Sequence, residues 1–356
     1  MRVLLVGNYE GDGLRSMERF AALMLNGCRR NGIEVEIIRP RVVFGRLGRN
    51  KCLGYIDKFV LFWFQLRDAI KNGGVVHILD QGNGIWAGWA PGCVVTCHDL
   101  LAVRAARGEF PEVRVGWSGR VFQRLILRGL RKAGRIVAVS EATRRDVERL
   151  LGKSEVIENG IEEFWKPVSG HAHEYVLHVG GNQWYKNRAG VVRMFIELRT
   201  GTHAAPHSPQ LVLVGPELEC GLRVALEEAG LAEDVVVMKR VEDETLRSLY
   251  AKARVFVFPS IAEGFGWPIL EAQACGCPVV TAAREPMMGT GGKEGALCAR
   301  DGEWVERVAE VLEMDDGNRA ELVKKGMENA RRFSVERMAG GYVEIYRAVA
   351  EEREFM

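Results

Sequence analysis

The sequence has 356 residues, 47% apolar and 27% charged, the make-up of a globular chain long enough for two cores, which excludes a disordered or fibrous one. Net charge is only +2 but unevenly placed: residues 1–165 carry 26 Lys and Arg against 18 Asp and Glu, a balance of +8, leaving 23 against 29, or −6, for residues 166–356. No run reaches the length of a membrane-spanning helix, the apolar start of MRVLLVG is too short for a secretory signal, and the eight cysteines form no C-x-x-C pair, so buried thiols in a reducing cytoplasm are expected.

Val3–Val6 is apolar enough for a buried strand, Gly7–Gly13 reads as a loop, and Leu14–Asn31 places Met17, Phe20, Ala21, Met24 and Leu25 on one helix face. Gly32 ends the helix and Val35–Ile38 is the next strand, completing a βαβ unit. Gly11 and Gly13 do not extend to G-x-G-x-x-G, because Ser16 stands at the third glycine's place, so a dinucleotide site has little support there. Residues 39–66 join Arg39, Arg41, Arg46, Arg49 and Lys51 to the apolar run YIDKFVLFWFQL. Two readings stay open for this stretch: peripheral contact with an anionic membrane, which needs aromatics beside cations, or a core helix beside a solvated loop.

Val75–Leu79 and Val94–Cys97 read as further strands, the second delivering His98 and Asp99 to its carboxyl end. A histidine there either lines a ligand site or is a satisfied structural residue. Ile136–Val139 is another strand, and Ser140 reads as the N-cap of the helix after it. Lys166–His173, with Pro, Ser and Gly, reads as the boundary between a domain of residues 1–166 and one of residues 170–334.

The scheme then repeats. Tyr175–Val179 is a strand, Gly180–Tyr185 a turn, and Asn187–Arg199 a helix with Asn187 as its cap. Lys186 at the helix entrance suits a phosphate ligand and suits a solvated surface lysine equally. Strands at Leu211–Val214 and Val235–Met238 enclose a helix at Gly221–Ala229, and Val241–Leu246 opens the next helix.

The most informative stretch is VFVFPSIAEGFGWPILEAQACGCPVV, residues 255–280. It reads as buried strand, glycine loop, helix, buried strand, with Pro268 at the first helical position and Gly276 just past the helix end. Glu263 stands in the loop and Glu271 in the first helical turn, with Gly264 and Gly266 between them. The amides of Phe265 to Ile269 are expected to point into the same mouth, at the carboxyl end of a parallel strand. Amides and a helix N-terminus suit a diphosphate, and carboxylates accept hydrogen bonds from sugar and ribose hydroxyls. The alternative is a Glu that complements the helix dipole and a turn that only connects.

The segment EGFGWPILEAQACGCPVV resembles, almost position by position, the E-x7-E signature of family 4 glycosyltransferases, retaining enzymes of the GT-B fold. The resemblance implies an α/β chain of two Rossmann-like domains with parallel sheets facing a central cleft, and a last helix, Val335–Arg353, crossing back so that residues 335–356 join the amino-terminal domain. It places Glu263 against the donor sugar, Glu271 on the ribose, and Gly264, Phe265, Gly266 and Trp267 around sugar and diphosphate. HVGGNQWYKN resembles the family's strand–turn–lysine motif, with Gly181 and Asn182 in the turn and Lys186 neutralising the diphosphate. Many members carry arginine where this chain has Gly181, which leaves more to Lys186, the amides and Arg188. Val241 falls in the family's base-binding turn, the loop with Gly11 and Gly13 faces the cleft, and the His98–Asp99 pair puts a histidine on the donor sugar. Where acidic residues are frequent in the family, this chain has Met287, Met288 and Gly289.

The expectation is a retaining hexosyltransferase that takes a UDP- or GDP-linked sugar to a hydroxyl of a glycan or lipid-linked acceptor, in the cytoplasm or peripherally on the inner membrane face. No D-x-D triplet and no zinc-like cluster occurs, so neither metal nor cofactor is expected, and no nucleic-acid module is recognised. Two alternatives are a nucleotide-sugar epimerase of the same fold and a non-catalytic nucleotide-sugar-binding scaffold.

Overall fold

A computed structural model describes residues 1–47, 51–169, 175–201 and 209–354. The chain divides into two compact units, residues 1–160 with 335–356, and residues 161–334. The division falls before the expected boundary at Lys166–His173, of which residues 170–173 lie outside the described residues. Ile161 already belongs to the second unit: its N–H donates to the Phe333 carbonyl, and Trp165 packs edge-on against Tyr250.

The amino-terminal unit is built on a parallel sheet of β1 (Arg2–Val6), β2 (Glu34–Ile38), β3 (Val75–Ile78), β4 (Val94–Cys97), β5 (Arg135–Ala138) and β6 (Glu155–Val156), in the order β2-β1-β3-β4-β5-β6. β3 and β4 are buried at every position, as continuous Val/Ile runs must be in a sheet covered on both faces. The covering helices include α1 (Arg15–Arg30), α2 (Lys51–Ile56), α3 (Phe62–Lys71), α4 (Leu101–Ala106), α5 (Trp117–Leu130) and α6 (Glu141–Leu151). α1 buries Phe20, Ala21 and Met24 as its periodicity predicts, and adds Leu23, Gly27 and Cys28. Ser140 caps α6 as expected, its Oγ accepting the Thr143 N–H at 3.1 Å.

The carboxyl-terminal unit has β7 (Tyr175–Val179), α7 (Arg188–Thr200), β8 (Gln210–Val214), α8 (Cys220–Glu228), β9 (Val235–Met238), α9 (Asp243–Lys252), β10 (Val255–Phe258), α10 (Trp267–Ala274), β11 (Val279–Ala282), α11 (Met287–Gly291), β12 (Leu297–Ala299), α12 (Trp304–Glu313) and α13 (Asp316–Ala330). Its sheet is also parallel, in the order β12-β11-β10-β7-β8-β9. The last helix, α14 (Val335–Glu354), belongs to the amino-terminal unit. Its close approach to α1 needs Gly27, where a Cβ would stand 2.5 Å from that of Ala339. The aromatic stripe of α14 is packing: Tyr346 OH lies 2.6 Å from His77 Nδ1, Thr96 Oγ1 2.8 Å from His77 Nε2, and Tyr342 OH 2.7 Å from Thr96 Oγ1.

His77 is neutral, its pKa pushed down to about 3 by burial and by the nearby His98. His178, in β7 of the other unit, is pushed down to about 4, again mainly by burial. Both titrate near 6.5 in an unfolded chain, so in acid the unfolded state binds more protons than the folded one. Stability is therefore full above about pH 6.5 and falls as the pH drops toward the folded values. Urea denaturation is expected to show each unit weaker at pH 5 than at pH 7, by on the order of 2 kcal/mol per histidine. Equal midpoints at the two pH values would show that these histidines are not held neutral.

Candidate functional site

In the carboxyl-terminal unit the strand order reverses between β7 and β10. The loops after these two strands flank the point at which open α/β sheets bind ligands. They deliver Lys186 and Glu263. The Lys186 ammonium donates to Glu263 Oε1 at 2.6 Å, and the two side chains are 19% and 11% exposed. The ammonium also lies 5.4 Å from the ring centres of both Tyr185 and Phe258. The two loops are tied by the Ile261 N–H, which donates to the Tyr185 carbonyl at 2.7 Å, and by Asn187 Nδ2, which donates to the Pro259 carbonyl at 3.2 Å. Asn187 is left-handed, with φ of +54°, and its Oδ1 caps α7 by accepting the Gly190 N–H at 3.1 Å. One residue thus starts the helix, fastens the neighbouring loop and aims the lysine before it.

Gly266 has φ of +108° at the start of α10, a conformation that favours glycine. The helix begins at Trp267, so Glu271 falls in its second turn, not its first as the sequence suggested. Glu271 is buried, and its Oε2 accepts from Tyr250 OH at 3.1 Å. Tyr250 is fully buried, and burial beside Glu271 raises its pKa far above the usual tyrosine value, so it remains a donor. Sequence reading passed over Tyr250 because an aromatic in an amphipathic helix looks like core. The expected row of free amides is shorter: Pro268 has none and Ile269 donates to the Gly266 carbonyl. The N–H groups of Phe265 and Gly266 have no acceptor among the described residues. The side chains of Phe265 and Trp267 are buried, Phe265 against Phe333, so only their backbone is placed to reach a ligand.

A side chain at Gly181 would run into Gln183, and Asn182 Nδ2 donates to the Glu217 carbonyl at 3.1 Å. Beneath this turn lies Arg188, 4% exposed, whose Nη1 donates to Asn182 Oδ1 at 2.5 Å and to the Pro216 carbonyl at 2.7 Å. Its Nε and Nη2 have no partner among the described residues, and burial lowers its pKa. The unit thus has a buried cation under the turn although none stands at position 181. Val241, after β9, is half-buried beside the cluster that includes Tyr250 and Phe258.

In the amino-terminal unit His98 follows β4 and is held from three sides. Its N–H donates to Gln81 Oε1 at 2.7 Å, its Nε2 donates to the Leu79 carbonyl at 2.9 Å, and the Phe20 ring stands edge-on at 4.7 Å. Since a carbonyl only accepts, Nε2 carries the proton and Nδ1 is the open acceptor of the neutral ring. Burial lowers the His98 pKa against the opposing pull of Asp80. Asp80, at the end of β3, accepts from Asn8 Nδ2 at 2.5 Å and from the Gly82 N–H at 2.6 Å. Asn8 follows β1 and Asp80 follows β3, the two strands that flank this sheet's own reversal point. Gly11 packs on the Tyr9 ring and Gly13 is left-handed at φ of +62°, so each has a local structural role.

Residues 39–66, of which Arg49 and the Lys51 side chain lie outside the described set, carry one apolar face in the core and another that is exposed. Phe62 and Leu66 enter the core, Asp57 anchors the preceding loop by accepting the N–H groups of Val43, Phe44 and Gly45, and Ile56, Val60 and Phe64 are exposed one turn apart. Among the described residues no helix is long and apolar enough to cross a membrane, and no group of three His, Cys, Asp or Glu side chains is placed to hold a metal ion.

Two family models match the chain: Glycosyltransferase Family 4 over residues 17–163 and Glycosyl transferases group 1 over residues 173–314. The chain is 36% identical to the D-inositol 3-phosphate glycosyltransferase of Acidothermus cellulolyticus over 50% of its own length and 42% of that protein's. It spans about half the length of the curated relatives it matches. Its fold is similar to that of sucrose-phosphate synthase from Thermosynechococcus elongatus, with a TM-score of 0.76 at 20% identity over 99% of this chain and 100% of the other. It is also similar to that of Anabaena HepE, solved with UDP and glucose, with a TM-score of 0.73 at 18% identity over 98% and 100% of the two chains. At such identities these two likenesses establish the fold, which is GT-B.

Proposed function

The chain belongs to the family 4, group 1 glycosyltransferases, and from that premise we propose that it is a retaining hexosyltransferase using a UDP- or GDP-linked sugar and a hydroxyl of a glycan or lipid-linked acceptor. The observation that carries this reading is the Lys186–Glu263 ion pair at the β7/β10 reversal point, with Glu271 on the helix that follows. A cation and a carboxylate 2.6 Å apart offer one group to a diphosphate and one to a sugar. Lys186 and the Phe265 and Gly266 amides take the phosphate charge, Glu271, steadied by Tyr250, takes the ribose hydroxyls, and Glu263 faces the anomeric carbon. His98 accepts a sugar hydroxyl at Nδ1. HepE was solved with UDP and glucose, which favours a uridine donor.

In this reading the bond from the anomeric carbon to the leaving phosphate breaks first. Glu263 stabilises the positive charge that develops on the sugar, and Lys186 the negative charge on the phosphate. The acceptor oxygen bonds to the anomeric carbon on the face just vacated, and its proton passes to a phosphate oxygen, so nucleoside diphosphate leaves. No cofactor enters these steps. The exposed apolar stripe of residues 56–64 supports peripheral contact with an anionic membrane, and no observation favours the epimerase or scaffold alternatives. The test is incubation with UDP- and GDP-linked α-hexoses and candidate acceptors. Release of nucleoside diphosphate is expected to match glycosylated product and to depend on the acceptor, whereas epimerised donor without acceptor would overturn the reading.

A further inference from the structure

We propose that the groove between α4 and α5 is a second anion site, which binds the phosphate of an ester ligand. The groove has a volume of about 430 Å³. Val103, Ala106 and Leu127 give it an apolar side, and Arg107, Arg120 and Arg124 give it three guanidinium groups. The acid closest in sequence is already committed. Glu109 accepts from Arg104 and Arg149, each at 2.9 Å, and these bonds hold its carboxyl below the usual carboxylate range. Arg107 keeps only a 3.7 Å approach to Glu109.

Arg120 and Arg124 have no ion pair among the described residues. They are one helical turn apart on α5, where like charges repel, and a bound anion would relieve that repulsion. Guanidinium groups hold phosphate oxygens through paired N–H donors, and the apolar side would take the carbon skeleton of the ester. Lys186 and Glu263 belong to the other unit, so this site is separate from the proposed diphosphate site. α4 leaves the carboxyl end of β4, the strand that presents His98.

The ester has two possible sources: a soluble phosphorylated acceptor, or a lipid headgroup reached beside Trp117, which is 80% exposed on α5. The anion site stands on geometry alone. That its ester belongs to the acceptor rests on the transferase reading.

The experiment uses the full chain as wild type, as the double variant Arg120→Gln/Arg124→Gln, and as Lys186→Met. Calorimetry measures glycerol 3-phosphate and UDP or GDP. Sedimentation measures binding to phosphatidylcholine vesicles with and without phosphatidylglycerol. Circular dichroism and melting confirm that the variants fold, as exposed substitutions allow. The double variant is expected to bind glycerol 3-phosphate at least tenfold more weakly while keeping nucleotide affinity, and Lys186→Met is expected to do the reverse. Arginine-dependent binding to the anionic vesicles alone would assign the site to a headgroup. If glycerol 3-phosphate tracks the arginines and no nucleotide binds, the donor reading fails and the anion site stands. If neither ester nor vesicle binding depends on Arg120 and Arg124, the proposal is wrong.

Discussion

Glu263→Gln is expected to lower the turnover of sugar transfer by at least about 100-fold while the protein keeps its fold and binds nucleoside diphosphate at least as tightly as wild type. The amide keeps an oxygen for Lys186 and removes only the charge, so the loop after β10 keeps the contact that holds it to the turn after β7. In the proposed mechanism, removing that charge takes away stabilisation of the positive character that develops on the sugar in the transition state. Binding is expected to move the other way, because a neutral amide competes less than the carboxylate, 2.6 Å from the Lys186 ammonium, for the charge offered to the phosphate in the proposed complex. Opposite effects on turnover and affinity distinguish this account from general damage. Wild-type turnover would remove Glu263 from the reaction, and equal losses of turnover and affinity would make it a structural residue.

Lys186→Met is expected to weaken nucleoside diphosphate binding on the order of 100-fold and to leave nucleoside binding nearly unchanged. The methionine keeps most of the apolar stem against Tyr185 and Phe258 but has no charge. Part of the loss comes from Glu263, whose carboxylate would stand unpaired where the phosphates arrive. The double variant Lys186→Met/Glu263→Gln should therefore bind diphosphate more tightly than Lys186→Met alone, a coupling that a double-mutant cycle measures directly. Purely additive effects would place the two residues in separate sites despite their contact. Calorimetry with nucleoside, monophosphate and diphosphate separates the charge effect from any change in the base pocket.

Much of this was legible in the sequence, for physical reasons. Buried parallel strands must be apolar throughout, so runs such as Val255–Phe258 announced themselves, and Gly276, with φ of +79°, closed α10 where a left-handed residue was expected. Lys186, Glu263 and Glu271 were singled out by the resemblance of their segments to family motifs, since spacing alone left a structural reading open for each. What stayed hidden depends on long-range packing. Tyr250 meets Glu271 only once α9 and α10 pack together, and Asp80 meets Asn8 only once β3 pairs with β1. Pro and Ser in Lys166–His173 mark a change of direction, whereas the division of the fold follows Ile161 joining the Phe333–Ser334 segment, a pairing that local composition does not show. Arg188 was noticed as a spare cation, but nothing in its spacing showed that it would be buried beneath Asn182.

The most direct test of the central claim is the anomeric configuration of the product. Transfer from a nucleotide-linked α-hexose, followed by proton NMR of the product, should show an α-glycosidic linkage, because in the proposed reaction the acceptor enters on the face that the phosphate leaves and Glu263 stabilises charge without displacing it. A β-linked product would contradict the account, since inversion requires a base on the opposite face and a different role for the Lys186–Glu263 pair.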